Sequence, residues 1–334
     1  MDVLEQVSLQ DLMLKTVNES SFLEQNRIKE LLEFISADNE KSVIQNGHIL
    51  SMGNAASQIS SIAATNDLTS GLQFIHNTNN LSRLMNDENE FNLYLDTLHS
   101  IKNKLSSDPN YLFTASSLDI NDLKLNTIFK SEPINFNNQS FVATQDSSIG
   151  WITGSQVCFC AEAFPSVDSM HEDAPALTIL GTVLRNGYLH SAIREKGGAY
   201  GSGAAQDSNN KVFKFFSYRD PKCSETFEEF QKSRDWSLKE ISAEQLEEGI
   251  LGVISSIDKP LSPYGEAMSD FMSELDNKTQ DERLLFRSRV KECTLSDLVR
   301  VSEKYLFNDS KKSVIAGENF IKELTDLGFA IKNI

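Results

Sequence analysis

Basic residues are scarce in this 334-residue sequence, which holds 31 Lys and Arg against 48 Asp and Glu and carries a formal net charge of −17. Nucleic-acid-binding proteins usually present a basic patch, so this balance argues against a nucleic-acid partner. The sequence has no apolar run of transmembrane length, which argues against a membrane-spanning protein.

The first residues also lack the basic segment and the apolar segment that make up a signal peptide. We therefore expect a cytoplasmic protein, or a protein of an organelle matrix if the organism is eukaryotic. If the chain is part of a longer protein, its first residue carries no information on targeting.

Cysteine is also scarce, with four residues that form no C-x-x-C pair. One close pair, Cys158 and Cys160, and two single residues do not make a disulfide framework for a chain of this length. In "QVCFCAEAF" the pair would point to the same face of a strand, so we expect two buried small apolar residues. This cysteine usage fits a reducing compartment.

No hydrolytic or phosphate-binding motif is present. The five histidines are His48, His76, His99, His171 and His190. No two of them lie within a helical turn, so the sequence has neither H-E-x-x-H nor H-x-x-E-H, and a zinc site built on one helix is excluded. A site assembled from distant residues stays open. P-loop, G-x-G-x-x-G and G-x-S-x-G patterns are absent as well. We interpret His190 as a structural helix residue, and His171, at the start of a helix, as a capping or solvent-contacting residue.

The hydrophobic pattern divides the chain into a helical part and a mixed part. Helical spacing in "RIKELLEFI" and "FNLYLDTLHSIKNKL" predicts a helical region over residues 1–105. Residues 106–334 add strand patterns, namely "YLFTASS", "WITGSQVCFCAEAF", a hairpin over "AYGSGAAQDSNNKVFKFFSYRD" and a closing strand "KSVIAGE". The order predicts an α+β sheet domain with helices packed on one face, preceded by the helical region.

One long helix precedes the hairpin. Asp173 is a good N-cap and Pro175 suits the first turn, so a helix should start there and continue to Lys196. Gly197 and Gly198 should end it, because glycine adopts the left-handed conformation that closes helices.

The stretch "REKGGAYG" is the strongest candidate for a functional site. The glycines remove side chains from the backbone, so a peptide could lie close to it, and Arg194 and Tyr200 could converge on one carbonyl oxygen. A guanidinium and a phenol both suit a developing oxyanion. Alternatively, the glycines only shape a tight turn, with Arg194 capping carbonyls and Tyr200 packed on the surface. The residues alone leave both interpretations open.

A resemblance favours the first interpretation. "LRNGYLHSAIREKGGAYGSGA" followed by "FKFFSYRDP" closely resembles the C-terminal half of the pitrilysin/insulysin-like zinc metallopeptidases, in particular their presequence-protease branch. "NGHILSMGNAAS" is similar to the helical associated region of that branch, and "SSIDKPLSPYGEAMSDFMSEL" resembles its last domain. The resemblance therefore extends over essentially the whole chain.

The resemblance implies a role for the motif. In that family an N-terminal half carries the H-x-x-E-H zinc motif, and the C-terminal half contributes an arginine and a tyrosine that reach the bound peptide. These match Arg194 and Tyr200, with the backbone of Gly197, Gly198, Ala199 and Gly201 expected to lie against the substrate.

The resemblance also implies what this chain lacks. It has none of the family's zinc ligands, so the zinc should come from an N-terminal half, either in the same chain or as a separate subunit, and this chain alone should be inactive. The substrate should be an unstructured peptide. The alternative is a catalytically inactive subunit of the same fold that binds peptides or acts as a scaffold.

Overall fold

The structure is a computed structural model that describes residue 16 and residues 19–107, 148–276 and 278–334. The described residues divide into two compact units. One unit contains the described parts of Met1–Ala37, Thr78–Gln139 and Leu261–Asn277. The other contains Asp38–Asn77, Ser140–Pro260 and Lys278–Ile334, again as far as they are described. Among the described residues, no helix is long and apolar enough to cross a membrane.

Helices and strands follow the sequence closely. The helices are α1 (Gln25–Gln45), α2 (Gly47–Ser57), α3 (Ser61–Ser70), α4 (Leu72–Leu84), α5 (Glu88–Ser107), α6 (Ala174–Leu184), α7 (Ser224–Ser237), α8 (Ala243–Ile257), α9 (Pro263–Leu275), α10 (Gln280–Glu292), α11 (Leu295–Leu306) and α12 (Ile321–Asp326). A π-helix covers Arg185–Lys196 and a short 3₁₀ helix covers Glu318–Phe320. The strands are β1 (Ser148–Ile152), β2 (Phe159–Pro165), β3 (Gly201–Asp207), β4 (Val212–Tyr218), β5 (Lys311–Ala316) and β6 (Ala330–Asn333).

The first unit is helical and has a small core of its own. Its buried side chains come from the first part of α1, the residue directly after α4, and α5, and they are Leu32, Met85, Phe91 and Leu95. Helical spacing of apolar residues therefore does build a core in this part of the chain.

The second unit is built on one mixed sheet of six strands in the order β3-β4-β2-β5-β1-β6. Strand β1 runs parallel to both β5 and β6, and the other neighbours are antiparallel. Strand β3 lies at one edge of this sheet and pairs with β4 over its whole length, from Gly201 opposite Tyr218 to Asp207 opposite Val212. The hairpin prediction is confirmed.

Helices cover both faces of the sheet. The helices of this unit that follow β2 pack on one face, as predicted, and α2 of the preceding helical region covers the other face. On one face the odd residues of β4, such as Phe213 and Phe215, join Cys160 in a core with α6, α7 and α11. On the other face Ala161 and Ala163 pack against Ala55 of α2. Both faces of β2 are apolar, so each needs a covering layer.

Small and polar residues fix α2 to the second face. A Cβ at Gly47 would lie 2.6 Å from the ring of Phe159, so only glycine allows this approach. The buried Asn54 accepts hydrogen bonds from Trp151 Nε1 (2.9 Å) and Ser313 Oγ (2.9 Å) and donates to Asp67 Oδ2 (2.8 Å). The small residues of "NGHILSMGNAAS" thus permit α2 to pack closely against the sheet.

Other predictions of detail come out differently. "WITGSQVCFCAEAF" is two strands, β1 and β2, because the chain turns between them at Thr153–Val157. The strand over "KSVIAGE" is present as β5, but it is not the last, since β6 follows it. "YLFTASS" lies outside the described residues. The boundary at residue 105/106 stays a prediction.

Asp173 starts α6 as predicted, but its side chain does not cap the helix. The buried carboxylate instead accepts hydrogen bonds from Arg300 Nη1 (2.5 Å), Lys304 Nζ (2.7 Å) and Tyr305 OH (2.7 Å) of α11. Burial alone would raise the pKa of Asp173, but the hydrogen bonds from Lys304, Tyr305 and Arg300 outweigh it and hold the pKa well below its usual range.

Candidate functional site

The candidate site begins where the helix after β2 ends. The predicted helix over residues 174–196 is α-helical only to Leu184 and continues as the π-helix Arg185–Lys196. π-helical turns are rare and occur often at functional sites. The chain leaves the π-helix through Gly197 and Gly198 and enters β3 at Gly201. The site is therefore a helix end joined directly to the edge strand of the sheet.

Two of the glycines are needed by the backbone itself. Gly198 has φ +89°, a left-handed conformation that costs glycine little, as predicted. Gly197 has an ordinary φ of −79°, but a Cβ there would lie 2.4 Å from the carbonyl oxygen of Ile193. Both positions therefore support the interpretation in which the glycines shape a tight turn.

Gly201 is different, because the fold does not require a glycine there. Its φ is not in the left-handed region, and a Cβ would have its nearest neighbour 3.9 Å away at the Cβ of Tyr218. That is an ordinary van der Waals distance. Gly201 is half-exposed at the start of the edge strand, and no contact among the described residues requires a glycine there.

Ala199 differs from the three glycines because its side chain faces the core. Its side chain is buried in the core, and its N–H donates to the carbonyl oxygen of Ile193 (3.1 Å). Its methyl group is therefore turned away from any peptide on the surface. Of the four predicted substrate-binding positions, Gly198 is exposed and Gly197 and Gly201 are half-exposed.

Arg194 is exposed in the last turn of the π-helix. Its Nη1 lies 3.2 Å from Nε2 of His190, and Nδ1 of the same imidazole lies 3.5 Å from Glu195 Oε1. A neutral His190 with its proton on Nδ1 can donate towards Glu195 and accept from Arg194. His190 therefore holds the guanidinium in place. The sequence analysis interpreted His190 as a structural residue and did not identify this role.

Tyr200 is 67% exposed and stands at the start of the edge strand. Its N–H donates to the carbonyl oxygen of Tyr218 (3.0 Å), and its ring packs edge-on against the Tyr218 ring at 5.5 Å between centroids. No hydrogen bond of the phenol oxygen is found within the described ranges. The backbone and ring are thus fixed, while the hydroxyl points into solvent.

The structure brings Arg194 and Tyr200 to the same helix-to-strand junction but not into contact with each other. The described contacts of Arg194 are with His190, and those of Tyr200 are with Tyr218. Each is an exposed hydrogen-bond donor that contacts a different neighbour. A ligand lying across the junction would be needed to join them.

A residue from the helical region also packs against Tyr218. The ring of His48, near the start of α2, lies 4.6 Å from the Tyr218 ring between centroids. Burial lowers the pKa of His48, so the neutral imidazole is favoured there. Nothing in the sequence pattern links His48 to a motif about 150 residues further on, because only the packing of α2 on the sheet brings them together.

Zinc does not fit the residues that the structure describes. Across the described ranges, no three side chains of His, Cys, Asp or Glu come close enough together to hold a metal ion. The three buried cysteines form a cluster in the core, with Cys160 Sγ 3.9 Å from Cys223 Sγ, and all four cysteines are free. No catalytic step through a metal is therefore assigned to this chain.

Comparisons with known proteins identify the family of this chain. The family description "PreP C-terminal domain" matches residues 154–318, and the associated region of the M16 peptidases, subfamily C, matches residues 5–81. This chain belongs to the M16, pitrilysin-like peptidases. Within them it corresponds to the C-terminal half of a presequence protease, and the first of the two matches contains the whole of the Arg194–Tyr200 junction.

Individual relatives in this family show the same correspondence. The chain is 26% identical over 345 residues to the mitochondrial presequence protease of Eremothecium gossypii. This alignment covers 94% of this chain and 33% of the relative. The chain is 36% identical over 151 residues to that of Xenopus laevis, covering 45% of this chain and 14% of the relative. The chain thus spans about a third of the length of the Eremothecium gossypii relative.

The fold is that of a known peptidase structure. The crystal structure of pitrilysin aligns with 98% of this chain and 35% of its own, with a TM-score of 0.56 and 12% identity. The mixed α+β architecture predicted from the sequence is therefore confirmed for this peptidase-family chain.

Proposed function

We propose that this chain is the substrate-side half of a zinc metalloendopeptidase that degrades unstructured peptides. The observation that carries the proposal is the junction itself. Two exposed donors, Arg194 and Tyr200, flank a glycine pair and adjoin an edge strand that begins with a glycine the fold does not require.

An extended peptide suits the edge of this sheet. Among the described strands β3 has only β4 as a partner, so its other side is an edge of the kind to which peptides add as a further strand. A peptide beside Gly201 can approach the backbone closely because no side chain intervenes. Its carbonyl groups then pass between the π-helix end and Tyr200.

In this proposal Arg194 and Tyr200 donate hydrogen bonds to the scissile carbonyl oxygen. Attack on that carbonyl turns its oxygen into an oxyanion, and donors already fixed in place stabilise the oxyanion more than the ground state. His190 holds the guanidinium and Tyr218 holds the phenol ring, so little reorganisation is required at the moment of reaction.

The nucleophile and its metal would come from another half. The described residues of this chain hold no zinc site, so we propose that a zinc-bearing N-terminal half, in the same chain or as a separate subunit, supplies the metal and the general base. Zinc would provide an activated water as nucleophile. Because the relatives named above are mitochondrial proteins, we also propose an organelle matrix as the location.

The test is peptide hydrolysis by this chain together with a zinc-bearing half. Arg194→Ala should lower kcat about 100- to 1000-fold, the usual cost of losing one oxyanion donor. Lys196→Ala is the matched control, since it removes an exposed cation from the same helical turn. Unchanged kcat in Arg194→Ala, or an equal loss in both variants, would refute the assigned role.

The alternative is an inactive subunit that binds peptides or acts as a scaffold. It predicts peptide binding that does not depend on a zinc-bearing half, and no turnover when that half is added. The same experiment decides between the two, because binding and hydrolysis are measured on one set of samples.

A further inference from the structure

Two residues other than glycine adopt a left-handed backbone conformation in the part of the chain that the structure describes. They are Lys211 with φ 55° and Arg219 with φ 49°. Lys211 lies at the tip of the β3–β4 hairpin, where such angles are usual in tight turns. Arg219 comes directly after β4, beside Tyr200.

The backbone around Arg219 is fixed from both sides. On one side the N–H of Tyr200 donates to the carbonyl oxygens of Tyr218 (3.0 Å) and Arg219 (3.4 Å). On the other side Cys158 and Asp220 exchange backbone hydrogen bonds of 2.7 and 2.9 Å. The left-handed turn is therefore imposed by its neighbours, and glycine would adopt it without the steric strain that a side chain brings.

The Arg219 side chain must then be explained by something other than the turn. Its guanidinium carbon lies 5.4 Å from the centroid of the Tyr218 ring, the same ring that Tyr200 packs against. The side chain is exposed, and none of the described carboxylates forms an ion pair with it. Asp220 is turned inward, where its carboxylate accepts from Thr226 Oγ1 at 2.6 Å.

The chain has a net charge of −17, yet Arg219, like Arg194, has no carboxylate partner among the described residues. Here it stands on the aromatic pair that also supports Tyr200. Strained conformations persist where the surrounding structure over-determines them, and they cluster at ligand-binding sites. A planar guanidinium with a free set of donors matches the two oxygens of a carboxylate.

We propose that Arg219 is a further substrate-binding residue that engages a carboxylate of the peptide, either an acidic side chain or the C-terminal carboxylate. This inference rests on the proposed function, since it places the peptide at the same junction. It adds a charge preference to that site that neither Arg194 nor Tyr200 implies.

The test compares matched labelled peptides bound to this chain in the presence of a zinc-bearing half. One pair differs by Glu against Gln, and the other by a free against an amidated C-terminus. Arg219→Ala should weaken binding about tenfold for the peptide whose carboxylate is engaged, and less than twofold for its neutral counterpart. The pair that responds identifies the source of the carboxylate.

Glycine variants separate this role from folding. Arg219→Gly should keep or raise the unfolding midpoint of the chain, because strain is removed, yet weaken binding as Arg219→Ala does. Lys211→Gly is the matched control at the other left-handed position and should leave peptide binding unchanged. Its exposed ion pair with Asp168 contributes little to stability.

Three results would overturn the proposal. They are equal weakening for charged and neutral peptides, no weakening for either, or no binding of any of these peptides by the wild type. The proposed function fails separately, through unchanged turnover in Arg194→Ala. Because binding is measured directly, the carboxylate preference is decided even where turnover is absent.

Discussion

Replacing Tyr200 by Phe should separate catalysis from folding. The substitution removes one hydroxyl from a side chain that is 67% exposed, and it retains the ring that packs on Tyr218 at 5.5 Å. That hydroxyl has no hydrogen bond within the described residues, so we expect the free energy of unfolding to change by less than about 0.5 kcal/mol. Loss of one oxyanion donor should nevertheless raise the activation barrier by about 3–4 kcal/mol, or lower kcat by about 100- to 1000-fold.

Tyr305→Phe is the matched control with the opposite expectation. Its hydroxyl is buried and donates to Asp173 Oδ2 at 2.7 Å, so its loss should cost about 1.5–3 kcal/mol of stability, the range for a hydrogen bond to a charged group. The folded variant should retain full kcat. Denaturant unfolding of the chain and peptide hydrolysis with a zinc-bearing half measure the two quantities. A wild-type kcat in Tyr200→Phe would refute the reasoning, as would a loss of stability similar to that of Tyr305→Phe.

Three further predictions follow from the site and its supports. Gly201→Ala should fold normally and lose peptide binding, whereas Gly197→Ala should unfold more readily because its Cβ would meet a carbonyl oxygen. Thermal unfolding and peptide titration of both variants check this. Two equal losses of stability would contradict it. The pKa of Asp173 is depressed, so its stabilisation is present above about pH 4, the unfolded value, and is lost as the pH falls further. Asp173→Asn should therefore lower the free energy of unfolding by about 2 kcal/mol at pH 7. Unfolding curves measured at decreasing pH should show this difference from the wild type becoming smaller. A difference that does not depend on pH would show that the carboxylate charge is not responsible. His190→Ala should lower kcat about two- to fivefold because Arg194 loses its hydrogen-bond partner, and His190→Gln should show a smaller loss. Equal kcat values in the two variants would count against this positioning role.

Local sequence signals predicted the elements that depend on neighbouring residues. Ser242 with Gln245 and Thr294 with Asp297 form capping boxes, a pattern within four residues, that start α8 and α11, and Gly198 ends the π-helix in a left-handed conformation. The alternation of Cys158 and Cys160 placed both thiols on one buried face. These features follow from bonds and side chains within a few residues of one another.

Long-range packing produced the features that sequence reasoning missed. The second covered face of the sheet depends on Asn54 meeting Trp151 and Ser313, which are about 100 and 260 residues away in the chain. The local sequence around Asp173 predicts a helix cap. Its hydrogen-bond partners lie on α11, which is far away in the chain, so the local sequence could not reveal them. His48 approaches Tyr218 only through the packing of α2 on the sheet.

The π-helix is a further case. Twelve residues adopt it, and the pair Asn186 and Gly187 in its first turn is unfavourable in an α-helix, but this pair alone does not predict a π-helix. It brings His190 close to both Arg194 and Glu195, which are neighbours in the chain. The motif "REKGGAYG" identified the place of the candidate site, but the support beneath its two donors became visible only in the fold.

Chelator-sensitive peptide hydrolysis tests the central claim most directly. A long unstructured fluorogenic peptide is given to this chain alone and to this chain with a zinc-bearing N-terminal half, each with and without chelator. The account predicts cleavage only in the mixture, abolished by chelator. Chelator-sensitive cleavage by the chain alone would contradict it, as would absence of cleavage in a mixture whose two halves are shown to associate.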